Sequence, residues 1–184
     1  MLEMASSYYY GSGTVLPVDK KKAADWYKKA DSAGATYQAA YVLGLMYSLG
    51  DGVPEDDWEA IRWYTKAAQA GNSDAQFNLG VMYDSGEGVR ENDTEAARFY
   101  RLAADQGDDD AQLNLGILYW SGRGVPEDLV QAYKWWNLSS AAGNDQARKN
   151  KEIVVERMTK EQSAEAQRLS SQWEPTIQTT NELR

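Results

Sequence analysis

A 36-residue period runs through this 184-residue chain and constrains its fold more than any other feature. Gly44, Gly80 and Gly116 share that spacing, as do Tyr47, Tyr83 and Tyr119. Gly-x-Gly-Val segments begin at Gly50, Gly86 and Gly122, and Ala39, Ala75, Ala111 and Ala147 keep the same interval. A second phase places Tyr27, Tyr64, Tyr100 and Trp136, together with Gly34, Gly71, Gly107 and Gly143, at intervals of 37, 36 and 36. Self-similarity at such a period marks a repeat architecture in which each unit is one supersecondary element.

Each period reads as two helices. In the first, typified by Asp74 to Ser85, Ala75, Leu79 and Tyr83 fall at i, i+4 and i+8 and form one apolar stripe that Met82 widens. Ser73 with Gln76, and Asp109 with Gln112, have capping-box spacing at its start. The Gly86-Glu-Gly-Val89 segment ends it, since glycine takes the left-handed conformation required past a helix C-terminus. The second helix starts after Asp56, Asn92 or Asp128, each followed three residues on by Glu59, Glu95 or Gln131. Its stripe, Ala60, Tyr64, Ala67 and Ala68 in one copy, is rich in small residues that let neighbouring helices approach. One such pair leaves apolar faces uncovered, so the pairs must stack: the expected fold is an all-α solenoid of antiparallel helix pairs.

The ends depart from the repeat. Tyr8-Tyr-Tyr-Gly-Ser-Gly13 matches Tyr47 to Gly52, so the chain is expected to enter partway through a first helix, with a Gly13-to-Asp19 linker two residues longer than its counterpart. Residues 1–143 are read as the solenoid: a partial first unit, then three full repeats. Residues 144–173 are read as a polar cap of two helices, the second opened by Thr159 with Gln162 three residues later, and residues 174–184 as a loose tail.

The repeat resembles a known family. Leu43-Gly44-x-x-Tyr47, Leu79-Gly80-x-x-Tyr83 and Leu115-Gly116-x-x-Tyr119 match part of the tetratricopeptide signature, although the Trp that opens it is Ala40, Gln76 or Gln112 here. With Trp63-Tyr-x-Lys-Ala-Ala68, Ala75-Gln-x-Asn-Leu-Gly80 and the long Gly-x-Gly-Val turn, the chain is similar to the Sel-one-like repeat family, a branch of the tetratricopeptide superfamily. The resemblance covers Tyr8 to Gly143, and Met158 to Trp173 resembles the tail that closes bacterial members. It implies a right-handed superhelix and a non-catalytic adaptor holding protein complexes together, in signalling, at the bacterial envelope or among secreted effectors. Cys-rich relatives have been linked to β-lactam binding. This chain has no Cys, so that activity does not carry over.

Composition narrows the chemistry. With no Cys and no His, disulfides, thiolate metal sites, Cys nucleophiles and most hydrolase triads are excluded. The net charge is −9, with +1 on residues 1–50, −11 on 51–130 and +1 on 131–184. Such a middle repels phosphate backbones and anionic membranes, so no nucleic-acid partner is expected. The apolar stretch Ala39 to Tyr47 is far short of the ~20 residues a membrane span requires, and Met1 to Met4 lacks the features of a signal peptide. The compartment stays open between bacterial cytoplasm and periplasm. Asp108-Asp-Asp110 sits where other copies place a helix cap, and its spacing is not that of a calcium loop. The Gly-x-Gly-Val turn has no following Lys-Ser/Thr and is no phosphate loop. No metal, cofactor or catalytic residue is therefore expected. Trp63 and Trp135 recur in register with Trp26 and Phe99, which reads as packing between repeats.

The resemblance also implies where a partner would dock. In tetratricopeptide relatives the first helix of each pair lines a concave groove. Here that wall is Tyr41, Leu45, Ser48 and Leu49, then Asp74, Phe77, Val81 and Asp84, then Leu113, Ile117 and Trp120, with Tyr9 in the partial unit. Asn78 and Asn114 stand where related peptide-binding solenoids hydrogen-bond a bound backbone. Trp120 matches polar Ser48 and Asp84, so the repeat itself does not require an indole there. The expected partner is a protein or peptide with a basic rim. The alternative is a self-associating structural element, a homodimer through its end repeats; a carbohydrate- or drug-processing enzyme is a distant third.

Overall fold

Each period carries its own start and stop signals, and each folds as a helix pair. The structure, a computed structural model, describes residues 1–11, 18–34 and 37–176. The linker residues 13–17 and the tail residues 177–184 lie outside the described residues. The helices are α1 (Leu2–Tyr10), α2 (Lys20–Ser32), α3 (Tyr37–Leu49), α4 (Asp57–Gln69), α5 (Ser73–Ser85), α6 (Asp93–Asp105), α7 (Asp109–Ser121), α8 (Leu129–Ala141), α9 (Asp145–Val155) and α10 (Lys160–Ser171). Among the described residues there is no strand, and no helix is long and apolar enough to cross a membrane.

The caps differ from expectation in an instructive way. Asp56, Asn92 and Asp128 do cap α4, α6 and α8 by accepting backbone N–H bonds. The returning half of the box is not made, because Glu59 binds Arg62 at 2.7 Å and the Trp63 indole at 3.1 Å, and Glu95 binds Arg98 at 2.8 Å. Among the described residues a complete box forms only at Thr159 and Gln162. In α5 and α7 the cap sits one residue earlier than expected: Asn72 and Asp108 accept from Ala75 and Ala111, both at 2.7 Å. Gln76 and Gln112 are thereby released from capping. Both are buried, and each donates Nε2 at 3.1 Å to a carbonyl near the end of the preceding helix, Ala68 or Ala104. Those carbonyls belong to the last turn, where acceptors outnumber intrahelical donors, and only a side chain as long as Gln reaches them.

Packing within a pair depends on the first-helix glycine. A Cβ on Gly80 would lie 2.5 Å from Tyr100 Cδ1, and one on Gly116 would lie 2.5 Å from Trp136 Nε1; Gly44 meets the Tyr64 ring in the same way. Packing between units depends on the second turn glycine. Gly88 (φ +67°) and Gly124 (φ +66°) lie against Asp57 and Asp93, in the first turn of the preceding unit's second helix. The rings of Trp63, Phe99 and Trp135 are buried, with Arg62, Arg98 and Lys134 respectively 4.5, 3.9 and 3.9 Å from their centroids. They are packing elements with occupied faces. Apolar burial is spread over three successive clusters along the stack.

After α8 the arrangement changes. Helix α9 packs on α8 as a further first helix, while α10 also packs on α8 instead of on α9. Nothing presses a ring onto α9 at the position of Gly80 and Gly116, and the residue there is the exposed Glu152. Beyond α10, Trp173 joins the cluster around α6 to α8, and the Thr176 N–H donates to the Asp105 carbonyl at 2.6 Å.

Candidate functional site

The groove residues singled out from the sequence all stand on first helices: Tyr9 on α1, four on α3, five on α5 and four on α7. They form two tiers. The inner tier leans on the aromatic residue of its own unit. The Tyr41 and Tyr64 rings are 6.1 Å apart, the Phe77 and Tyr100 rings 6.0 Å, and the Trp136 indole donates to the Leu113 carbonyl at 3.0 Å. The Asn78 side chain lies near the Tyr64 hydroxyl, and that of Asn114 near the Tyr100 hydroxyl. Burial drives both phenols far above their ordinary range, so both stay protonated and able to donate.

Two residues are engaged in junctions between units. The Tyr9 hydroxyl donates to Asp51 at 2.9 Å beside Lys20, also bound to Asp51 at 2.8 Å; burial, then Asp51, pushes the Tyr9 phenol up to about 12. Asp84 takes Arg123 at 2.7 Å and the Tyr100 hydroxyl at 3.4 Å, and the same guanidinium reaches Asp93 at 2.5 Å. Asp74 is exposed at the other end of α5, near the Tyr41 hydroxyl and Asp108.

The outer tier gathers into two clefts. Leu45 and Leu49 face Asn78 and Val81 across the α3–α5 junction, around a space of about 210 Å³ with Glu87 at its edge. Leu49 is 67% exposed. Ile117 and Trp120 face α9 across about 350 Å³, with Trp136 as the floor. Trp120 is 39% exposed and its ring is 6.4 Å from that of Trp136. The far wall is Gln146, Asn150 and Ile153, which sequence reasoning did not single out. The signal was present: Asn78, Asn114 and Asn150 are 36 residues apart, as are Val81, Ile117 and Ile153. It was hidden because Lys151, Glu152 and Val155 replace the Leu, Gly and Tyr of the core stripe.

The ends of α5 and α7 give this face an acidic margin. Burial pushes the Asp108 carboxyl up from its ordinary value, the Ala111 N–H opposes this, and Asp110, Asp109 and Asp74 push it further up. A carboxyl raised on folding is destabilising when ionised, from about its unfolded pKa near 3.9 upward, and neutral in effect below it. Asn72 and Asn144 hold the same cap position, and Asn caps as well as Asp. Asp108→Asn should therefore raise the melting temperature at pH 7 by about 1–2 °C, a gain that disappears below about pH 4. Melts at the two pH values check this, and an equal gain at both would place the effect outside ionisation. Among the described residues no three carboxylates gather as a cation site.

The comparisons agree with the repeat and the fold. The Sel1 repeat family profile matches residues 1–34, 38–72, 73–108 and 109–144. The fold is similar to that of c5321, described as a protective antigen present in uropathogenic Escherichia coli strains displaying an SLR fold, at a TM-score of 0.80 and 38% identity over 92% of this chain. The chain spans only 37% of that protein's length. A Sel1 repeat protein from Oxalobacter formigenes matches at a TM-score of 0.74 and 26% identity, over 91% of this chain and 71% of that one. Helicobacter pylori cysteine rich protein B matches at 0.54 and 26%, over 74% and 97%. No curated protein matches the sequence. Sel1-repeat proteins are generally non-catalytic scaffolds for protein–protein interaction. Four matched repeats on an all-α solenoid make this chain a member of the Sel1-repeat family.

Proposed function

We propose that this chain is a protein-interaction adaptor whose first-helix face is a concave groove for a peptide segment or partner domain. The observation that carries the reading is Trp120: an indole 39% exposed, over an apolar cleft, at a position that is Ser48 and Asp84 in the other units. Partly exposed aromatic side chains over a pocket are the usual anchors of interfaces. Asp74, Asp110, Glu87 and Trp120 would meet a partner bearing Lys or Arg at its rim. Helices α9 and α10 would act as the polar cap of the stack.

The test is capture on the immobilised full chain from bacterial lysate and envelope fractions, with two comparators. Asn114→Ala alters the groove and Arg98→Ser the opposite face. Partners lost with the first and kept with the second support the groove; the reverse pattern removes it. For a captured partner, Asn114→Ala should cost about 1 kcal/mol of affinity, since water replaces part of the lost hydrogen bonding. Raising ionic strength from 50 to 200 mM should slow association several-fold, with dissociation nearly unchanged. A salt-independent association rate would mean that the acidic margin faces no basic partner.

A second reading has one observation of its own. Met1, at the N-cap of α1, and Met4 and Tyr10 on α1 are 60, 39 and 75% exposed, an apolar set on the first unit that favours stacking on another copy. Light scattering over a dilution series decides it: a stable dimer abolished by Tyr10→Ser supports assembly, and a monomer at all concentrations excludes it.

A further inference from the structure

The clefts at Leu45 and Trp120 are the same site two repeats apart. Leu45, Ser48, Tyr64, Asn78 and Val81 of the first correspond, at 72 residues, to Ile117, Trp120, Trp136, Asn150 and Ile153 of the second. Between them, at the α5–α7 junction, the same positions include Asp84 and Arg123, and the ion pair from Arg123 to Asp84 and Asp93 crosses the junction. The chain spans the middle position with its own ion pair, while its two neighbours are clefts.

Charge follows the same register. The loop position that carries Arg123 carries Asp51 one junction before the Leu45 cleft, where Lys20 pairs with it at 2.8 Å. At the Leu45 cleft that position is Glu87, and the counterpart of Lys20 and Asp93 is Asp57. Two acids thus occupy the register in which both neighbouring junctions hold a cation–acid pair. Among the described residues neither Glu87 nor Asp57 has a salt-bridge partner, and Asp57 Oδ1 is buried without a hydrogen bond. The missing partner at this junction is a cation.

We propose that the first-helix face takes an extended peptide segment of a partner protein at two points, with one bulky apolar side chain in each cleft and a Lys or Arg beside the first, facing Glu87 and Asp57. This rests on the groove reading above and adds the spacing and chemistry of the ligand. Neighbouring helices lie about 10 Å apart, so clefts two units apart are about 20 Å apart. An extended chain advances about 3.3 Å per residue, which places the anchors about six residues apart, on the same side of the strand. The segment bridges the middle junction over the Arg123 clamp without inserting a side chain there.

The experiment is selection of a random decapeptide phage library on the immobilised full chain, followed by fluorescence anisotropy with the enriched peptides. The expected motif is an aliphatic or aromatic residue at i and at i+6, with Lys or Arg adjacent to i. Glu87→Lys should weaken the selected peptide at least tenfold and turn the preference at the basic position to acidic. Ile153→Asp should weaken it about tenfold, with no penalty for peptides lacking the second anchor. Glu87 is exposed and Ile153 is 57% exposed, so both variants keep the fold. Enriched peptides that depend on Asn114 but show another spacing, or no charge reversal with Glu87→Lys, overturn the two-point proposal and leave the groove reading standing. No enrichment, or binding indifferent to Asn114, Glu87 and Ile153, overturns both. Concentration-dependent dimerisation abolished by Ile153→Asp would assign the second cleft to another copy. The chain's own residues 177–184 carry Ile177 and Leu183 six residues apart. If Ile177→Ser with Leu183→Ser tightens peptide binding, the occupant is that segment and the partner proposal falls.

Discussion

Gly80→Val lowers the unfolding free energy by about 2–4 kcal/mol, which for a chain of this size corresponds to a fall of roughly 5–15 °C in melting temperature. Two effects oppose each other. Valine is a slightly better helix former than glycine, by a few tenths of a kcal/mol. Against that, a Cβ at Gly80 would sit 2.5 Å from Tyr100 Cδ1 and 2.7 Å from Cε1, so α5 and α6 must separate or the ring must turn out of its slot. The ring is buried and its hydroxyl donates to Asp84 at 3.4 Å, so turning it out also breaks that contact. Overpacking wins by an order of magnitude. Gly80→Ala should fall between Val and the parent, because the first unit holds Ala5 at the matching position and buries it fully. Thermal and urea melts check both substitutions. A change of under a degree for Val would mean that the pair is not held by this close approach.

Trp120→Ala weakens partner binding by about 2 kcal/mol or more, roughly thirtyfold, and lowers fold stability by only about 1 kcal/mol. The second number follows from the structure. Trp120 is a lid on Trp136, not a member of the buried core, so its removal loses one tilted aromatic contact and leaves Trp136 held by its bond to the Leu113 carbonyl. The first number rests on the groove reading and is measured by calorimetry with a captured partner or a selected peptide. Trp120→Phe should recover most of the affinity, because the cleft demands apolar area more than the indole N–H. A sharp loss of melting temperature with full retention of binding would reassign Trp120 to the packing of α9.

Glycine and aromatic periodicity was enough to read the helix pairs, since the same few residues recur at every unit and each has a local physical job. Helix limits followed from caps and stop glycines, although the cap of α5 and α7 was misread by one residue. Asn72 and Ser73 are both good cap residues, and only the contact between Gln76 and the Ala68 carbonyl separates them. The candidate site was legible as a face and illegible as clefts. A sequence shows which residues share a helix stripe; it does not show that Arg123 reaches back 39 residues to Asp84 across the α5–α7 junction.

The far wall of the Trp120 cleft makes the same point. Asn150 and Ile153 keep the 36-residue register, but the core stripe around them is lost. The stripe is lost because α10 packs on α8 and lays no ring on α9, so Glu152 meets solvent where Gly80 and Gly116 meet aromatic rings. That choice belongs to the tertiary structure. What the sequence determined by itself is what short-range chemistry repeats: two helices per 36 residues, a small residue beneath each ring, and turns that bring each unit onto the next. What only the tertiary structure decided is which junctions stay open. That depends on long side chains meeting across units: Arg123 finds Asp84 and Asp93, and Lys20 finds Asp51, whereas among the described residues Glu87, at the edge of the Leu45 cleft, finds no salt-bridge partner.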